Sequence, residues 1–283
     1  MELSISEKLM HSTVRIEILN ECGNTISTGT GFLFNFTIDE VNTVPVLVTN
    51  KHVVRGAKIG RFVFTVSNNG RPIYGENLPY IIHEFEQGFI FHPDSNVDLC
   101  IMPINPIHEN AHTRFNKQLF TIWLDESFIP TAKQLEQLGA LEDIIMIGYP
   151  NGLWDSINNL PIIRKGITAI HPKFDYNGKT DIVMDIASFP GSSGSPVYIY
   201  NQGSYSSGNG IAIGNRLMFL GILYAGPQQS VTGEIGTKVI PTSVVPVPIT
   251  NVMMNLGYAV KSQRLLDFKP ILSNILKQNQ YLY

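Results

Sequence analysis

Cysteine is scarce in this chain: 283 residues hold only two, Cys22 and Cys100. Two thiols cannot build the disulfide framework on which small secreted domains depend. They read as reduced thiols, and the expected compartment is the cytoplasm. Charge is scarce as well, at 15% of residues, with a net charge of −3 and no basic run. That excludes the electrostatic footprint of a nucleic-acid groove or of an anionic membrane surface. Long apolar runs are also missing. The longest, Leu217 to Gly226, has ten residues and ends in Gly-Pro, well short of a membrane span. The opening residues, Met-Glu-Leu-Ser-Ile-Ser-Glu, lack the basic and apolar regions of a signal peptide. What remains is a globular composition, 43% hydrophobic, sufficient for one large domain or two small ones.

The most informative stretch is Ser188-Phe189-Pro190-Gly191-Ser192-Ser193-Gly194-Ser195-Pro196-Val197. Its Gly, Ser and Pro content predicts a tight turn leading into a strand at Val197 to Tyr200. Such a loop can hold one serine outward and aim backbone N–H groups at one point, as acyl transfer requires. Upstream, Thr49-Asn50-Lys51-His52-Val53-Val54 follows the apolar run Val44 to Val48, so His52 sits at a strand end. Val97-Asp98-Leu99-Cys100-Ile101 places Asp98 at the start of another strand and turns Cys100 into a core. The order is His52, Asp98, Ser193, with gaps of 46 and 95 residues. Histidine, aspartate, serine is one of the orders in which a Ser-His-Asp triad occurs.

Strands are also predicted at Val14 to Leu19, Gly29 to Phe36, Arg61 to Ser67, Arg71 to Tyr74 and Tyr80 to Glu86, with Asn68-Asn69-Gly70 as a hairpin turn. Ala132 to Leu141 reads as a helix. A second set of strands covers Ile144 to Ile147, Ile162 to Ile170, Asp181 to Ile186, Met218 to Tyr224 and Thr237 to Ile240. The Gly-rich stretch Gly208 to Gly214 reads as a hairpin tip. A helix is expected near Ile249 to Leu256. Another spans Ser262 to Lys277, with Leu265, Phe268 and Leu272 on one face and Pro270 delaying or kinking it.

With Gly29-Thr30-Gly31-Phe32-Leu33-Phe34, the histidine, aspartate and serine segments and Gly221-Ile222-Leu223-Tyr224-Ala225-Gly226 on the page, the chain resembles a trypsin-like (chymotrypsin-fold) serine peptidase of the bacterial, non-secreted kind. The resemblance covers about residues 12 to 245. It implies an all-β fold of two six-stranded antiparallel β-barrels with a C-terminal helical tail. Residues 12–125 are then the barrel carrying His52 and Asp98, and 126–143 a helical connection. Residues 144–245 are the barrel carrying Ser193, and 246–283 the helices packed on it.

The same resemblance implies a catalytic triad of His52, Asp98 and Ser193. It implies an oxyanion hole from the N–H groups of Gly191 and Ser193, no cofactor and no metal, and a protein or peptide substrate as partner. Ala187 falls at the base of the primary pocket, beside Ser188, and Tyr224, Ala225 and Gly226 form the strand that pairs with the substrate. Ala187 supplies no carboxylate, which points to a small or medium apolar residue before the scissile bond. Ser192 stands where zymogen-activated members carry an aspartate, and Val53 where secreted members carry a disulfide cysteine. Activity is therefore expected not to need N-terminal cleavage. The oligomeric state is not legible here.

Two other readings stand beside this one. The protease fold can serve as a catalytically silent binding module. And His108-Glu109-Asn110-Ala111-His112 matches H-E-x-x-H, in which His108 and His112 would bind zinc with Glu109 as base. Its polar flanks, Thr113, Arg114 and Asn116, do not suit a buried zinc helix.

Overall fold

The computed structural model describes residues 2–207, 210–232 and 249–280. The first half is built from β1 (Thr13–Leu19), β2 (Thr25–Thr37), β3 (Thr43–Thr49), β4 (Ile59–Asn68), β5 (Arg71–His83), β6 (Ile90–Phe91) and β7 (Cys100–Pro103). They pair in the order β5-β4-β1-β2-β3-β7-β6. Two short strands, β8 (Gln118–Leu119) and β9 (Leu124–Asp125), join β4 and β2 off this path.

The second half contains β10 (Asp143–Gly148), β11 (Ile162–Thr168), β12 (Asp181–Asp185), β13 (Pro196–Asn201), β14 (Ser204–Ser207) and β15 (Gly210–Ile213). It continues with β16 (Arg216–Ala225), β17 (Gln228–Thr232), β18 (Ile249–Met253) and β19 (Leu256–Lys261). Six of these close into an antiparallel barrel, β10-β11-β12-β19-β16-β13. The pairs β14-β15 and β17-β18 stand outside it. The expected β architecture in two halves is therefore present.

Both faces of the central strands are buried, because the halves share a core. On β2, Leu33 packs into the first half's own core, while Phe32, Phe34 and Phe36 face the second half. On β3, Leu47 turns one way and Val46 and Val48 the other. Phe32 meets Phe219 of β16 edge-to-face, ring centres 5.3 Å apart. A strand with two buried faces loses the polar alternation of a half-exposed one and reads as a continuous apolar run.

Short helices fill the connections. α1 (Ile5–His11) is started by a capping box of Ser4 and Glu7. α2 (Lys51–Val54) follows β3, and α3 (Asn105–Phe115) begins with proline in its first turn. α4 (Ala132–Glu136) is shorter than the predicted helix to Leu141. Tyr80 is not the start of a separate strand but the continuation of β5, and Phe85–Gly88 is a 3-10 turn.

The largest correction concerns the tail. Ile249 to Leu256 is not helical: it supplies β18 and the start of β19. A short apolar run does not distinguish helix from strand by its period, and here the partners decide, with β17 pairing β18 while β12 and β16 flank β19. The barrel thus extends past residue 245, and the packed tail starts at Ser262. Thr237 to Ile240, Pro246 and Pro248 lie outside the described residues, as do 208–209 at the expected hairpin tip. As the proline predicts, the helix is delayed. Ser262–Phe268 is a 3-10 segment, and α5 (Lys269–Gln280) begins one residue before Pro270. Leu265, Phe268 and Leu272 are buried in the shared core.

Arg15 and Glu17 are buried in β1, on the face turned from Val14, Ile16 and Ile18. Glu17 accepts from Arg15 Nε and Nη2 at 3.0 and 2.8 Å and from Arg61 Nε at 2.5 Å. Arg15 also donates to Gly152 O of the second half and lies over the Trp154 ring at 3.5 Å. Burial pushes the Glu17 carboxyl up, but hydrogen bonds and charge from Arg61 and Arg15 outweigh it, and its pKa lies below the usual value.

Removing one partner leaves buried charge uncompensated, so Glu17→Gln is expected to cost about 3–5 kcal/mol in urea unfolding. A depressed carboxyl contributes stability that is complete above the unfolded-state value of about 4.3 and is lost as pH falls through the folded value. The variant should therefore show a flatter acid limb of stability than the parent. An unchanged urea midpoint at neutral pH would show that the network adds nothing.

Candidate active site

Strand pairing brings the histidine to the aspartate. β3 and β7 are antiparallel neighbours with Thr49 opposite Cys100. The residues just past the end of β3 therefore lie beside those just before β7. His52 N–H donates to Asp98 Oδ1 at 3.1 Å, and the Nδ1···Oδ2 distance is 2.5 Å. Asn50 Nδ2 donates to Asp98 O at 2.7 Å, and Lys51 Nζ donates to His92 O and Asp94 O, both at 3.0 Å. Burial raises the Asp98 carboxyl, but the His52 hydrogen bonds and charge overcome it, and its pKa is lowered. Asp98 is therefore a carboxylate near neutral pH and holds the proton of His52 on Nδ1, leaving Nε2 as the basic nitrogen.

The serine loop comes from the other half and is clamped to β2 by Thr30. Thr30 N–H donates to Ser193 O at 2.9 Å, and Thr30 Oγ1 donates to Gly191 O at 2.9 Å. The same hydroxyl accepts from Tyr149 N–H at 3.2 Å, and Thr49 Oγ1 donates to Thr30 O at 2.7 Å. A Cβ on Gly194, whose φ is +88°, would lie 1.9 Å from Thr30 O. Only glycine tolerates both that backbone conformation and that approach. One on Gly29 would lie 2.4 Å from Val53 Cγ1, so the strand gripping Ser193 also packs against the residue after His52.

Within the loop, Ser192 and Ser195 turn inward and are fully buried. The N–H groups of Ser192, Gly194 and Ser195 donate to Phe189, Leu223 and Ser192 carbonyls. Among the described residues no protein acceptor takes the N–H of Gly191 or of Ser193.

Ser193 opens onto a cavity of about 150 Å³ lined also by Ser188, Phe189, Pro190, Leu223, Ala225 and Gly226. No carboxylate is among them. Of the residues named from the sequence, Ser188, Ala225 and Gly226 line this cavity, and Ala187 and Tyr224 do not. Ser188 is buried, and its hydroxyl donates to Ile186 O at 3.2 Å. Tyr224 points the opposite way, its OH donating to Asp181 Oδ2 at 2.8 Å. It lines a separate cavity of about 370 Å³ behind Asp98. Burial and the Asp181 bond raise the Tyr224 pKa.

The sequence pointed to Thr30 only as part of a motif. Its signal was a hydroxyl residue between two glycines in an apolar strand. Thr30→Val keeps the shape but strands two buried partners, Gly191 O and Tyr149 N. A cost of about 1–3 kcal/mol is expected for each group left unpaired. A fall in thermal stability with a slower serine-probe reaction checks this, and an unaltered variant would free the loop from that clamp.

His108, Glu109 and His112 lie on α3. His108 faces the Trp123 ring at 5.8 Å, while Glu109 and His112 are exposed. Among the described residues no group of three or more His, Cys, Asp and Glu side chains is placed to hold a metal ion. Cys100 is buried, and burial raises its thiol pKa well above the usual value, which suits a core residue and not a nucleophile.

No curated protein matches this sequence. Among solved structures, the chain is similar to Rv3671c of M. tuberculosis H37Rv, in an inactive serine-to-alanine mutant form. Identity is 13%, 91% of this chain and 84% of that chain are covered, and the TM-score is 0.40. The family model of the trypsin-like peptidase domain matches residues 29–204, well over half of the chain and including His52, Asp98 and Ser193. This chain belongs to the trypsin-like peptidase domain family.

Proposed function

We propose that this protein is a serine endopeptidase that cleaves protein or peptide substrates with Ser193 as nucleophile, His52 as general base and Asp98 as its orienting carboxylate. The observation that carries the reading is the His52 Nδ1–Asp98 Oδ2 contact of 2.5 Å on one half, with a serine loop of the other half clamped to the adjoining strand. In this reading Ser193 Oγ attacks the substrate carbonyl carbon and His52 Nε2 takes its proton. The tetrahedral oxyanion is held by the N–H groups of Gly191 and Ser193. His52 then protonates the leaving amine, and water repeats the sequence on the acyl-enzyme. The two N–H groups that find no acceptor in the loop support this role.

The Ser193 cavity is the pocket for the side chain before the scissile bond. No carboxylate lines it to hold Arg or Lys, and Phe189, Pro190, Leu223 and Ala225 are among its lining, which supports a small or medium apolar residue there. Peptide-library cleavage is expected to select Ala, Val or Leu there, and a profile dominated by Arg or Lys would overturn that assignment. Residues 12–125 carry the histidine and aspartate in this reading, and the barrel beginning near Asp143 carries the serine. The two free thiols fit a reducing, cytoplasmic setting. No helix among the described residues is long and apolar enough to cross a membrane.

A fluorophosphonate probe tests the reaction directly, with wild type, Ser193→Ala and wild type in EDTA compared. Labelling lost only in Ser193→Ala is the expected result. Absence of labelling in wild type would return the chain to the reading of a silent binding module, and loss in EDTA would point to a metal.

A further inference from the structure

The strand at the Ser193 cavity does not end there. β16 is paired with β19 along one edge from Gly221 to Ala225, and β13 holds its other edge only as far as Ile222. At Leu223 that second edge passes to the serine loop. Leu223 N–H donates to Ser195 O at 2.9 Å, and Leu223 O accepts from Gly194 N–H at 2.8 Å. Beyond this point no strand among the described residues takes the edge.

After Gly226 and Pro227 the chain resumes as β17, paired to β18, and β18 leads into β19. The two pairs form one long ribbon with a kink. There Met254 N–H donates to Pro227 O at 3.3 Å, and Asn255 takes a left-handed φ of 59°. β18 lies on the same side of β17 as β19 does of β16. Along β17 the edge turned from β18 has no strand partner among the described residues, so the edge left open at Ala225 continues to Thr232, a run of eight residues.

An open edge of this length is a template for another strand, since each second residue offers an unpaired N–H and C=O. Its near end, Ala225 and Gly226, lines the cavity that holds Ser193. We propose that β17 extends the substrate site. The segment N-terminal to the scissile bond adds as a strand along the edge from Ala225 to Thr232, so the chain selects long extended polypeptide segments over short peptides. The inference rests on the serine-peptidase reading for the direction of the occupant. Recognition along β17 runs through backbone groups and is therefore tolerant of upstream sequence.

The test is binding, and so does not depend on turnover. Fluorescein-labelled Ala/Ser peptides of three, five and eight residues, each ending in Val, are titrated into full-length Ser193→Ala and followed by anisotropy. Each added backbone hydrogen bond is expected to tighten binding about two- to tenfold. The octapeptide should exceed the tripeptide at least about tenfold. N-methylation of alternate amides beyond the third residue should abolish the gain in one phase and leave it in the other, because only every second amide faces the edge. Affinity that is flat beyond three residues, or a gain indifferent to N-methylation, overturns the proposal. If a second copy of this chain covers the edge instead, sedimentation velocity gives a concentration-dependent dimer and the length series stays flat. Probe labelling of wild type, measured in parallel, reports separately on the serine-peptidase reading.

Discussion

Replacing Ser193 by alanine is expected to abolish fluorophosphonate labelling and to lower peptide hydrolysis by on the order of 10⁶-fold in kcat. The loss is so large because the other parts act through this oxygen. In the proposed acylation step His52 takes its proton from Ser193 Oγ, and the acyl-enzyme needs that oxygen for its ester bond. A residual rate of about 10³- to 10⁴-fold over water is expected from the oxyanion donors and substrate binding alone. The fold should not change, because Ser193 is fixed by its carbonyl, which accepts from Thr30 N–H, and alanine keeps that carbonyl. A thermal midpoint equal to the parent's, together with lost labelling, is the predicted pair of results. Undiminished labelling would move the nucleophile elsewhere. Ser188 would then be the first residue to test, as the other serine lining the cavity.

Asp98→Asn is expected to cost about 10⁴-fold in kcat with little effect on the fold. An asparagine amide turned toward His52 donates where a carboxylate accepts. It favours the tautomer with the proton on Nε2, which then cannot take the proton of Ser193. The backbone carbonyl of Asp98 still accepts from Asn50 Nδ2, so the local geometry has a second support. The pH dependence follows from the lowered Asp98 carboxyl. A depressed carboxyl contributes stability in full above its unfolded value of about 3.9, and this fades as pH falls through the lower folded value. The parent should therefore lose stability on acidification in that window, and Asp98→Asn should lack this part of the slope. Equal kcat in parent and variant would remove Asp98 from the mechanism.

The proposed use of β17 adds a second length scale to the proposed substrate site. The chemistry needs a few residues around Ser193, while the open edge is eight residues long. Length dependence in binding and the Ser193 and Asp98 variants therefore test the two proposals separately.

Much of this was legible in the chain itself. The hairpin at Asn68-Asn69-Gly70 joins β4 to β5 as its turn residues require, with Asn69 and Gly70 both at positive φ. Pro270 delays α5, and the runs at Leu33, Leu47 and Cys100 are strands. Local chemistry determines these features, because backbone sterics and turn preference act within a few residues. The order of His52, Asp98 and Ser193, each in its own motif, also belongs to the sequence.

Other features were settled only by tertiary contact. Ile249 to Leu256 has no decisive period, and it is strand because β17 pairs β18 while β12 and β16 leave a place for β19 in the barrel. Tyr224 turns from the Ser193 cavity because the direction of a side chain near a bulge depends on what it packs against. Tyr224 finds Asp181. Arg15 and Glu17 are charged residues of a strand, yet they are buried, because the second half of the molecule covers that face of β1. Thr30 became the clamp of the serine loop through partners more than 110 residues away in the chain. The sequence by itself determined most of the strands, the turns and the order of His52, Asp98 and Ser193. The tertiary structure decided which of them meet, because pairing partners and shared burial are properties of distant segments and leave no local signature.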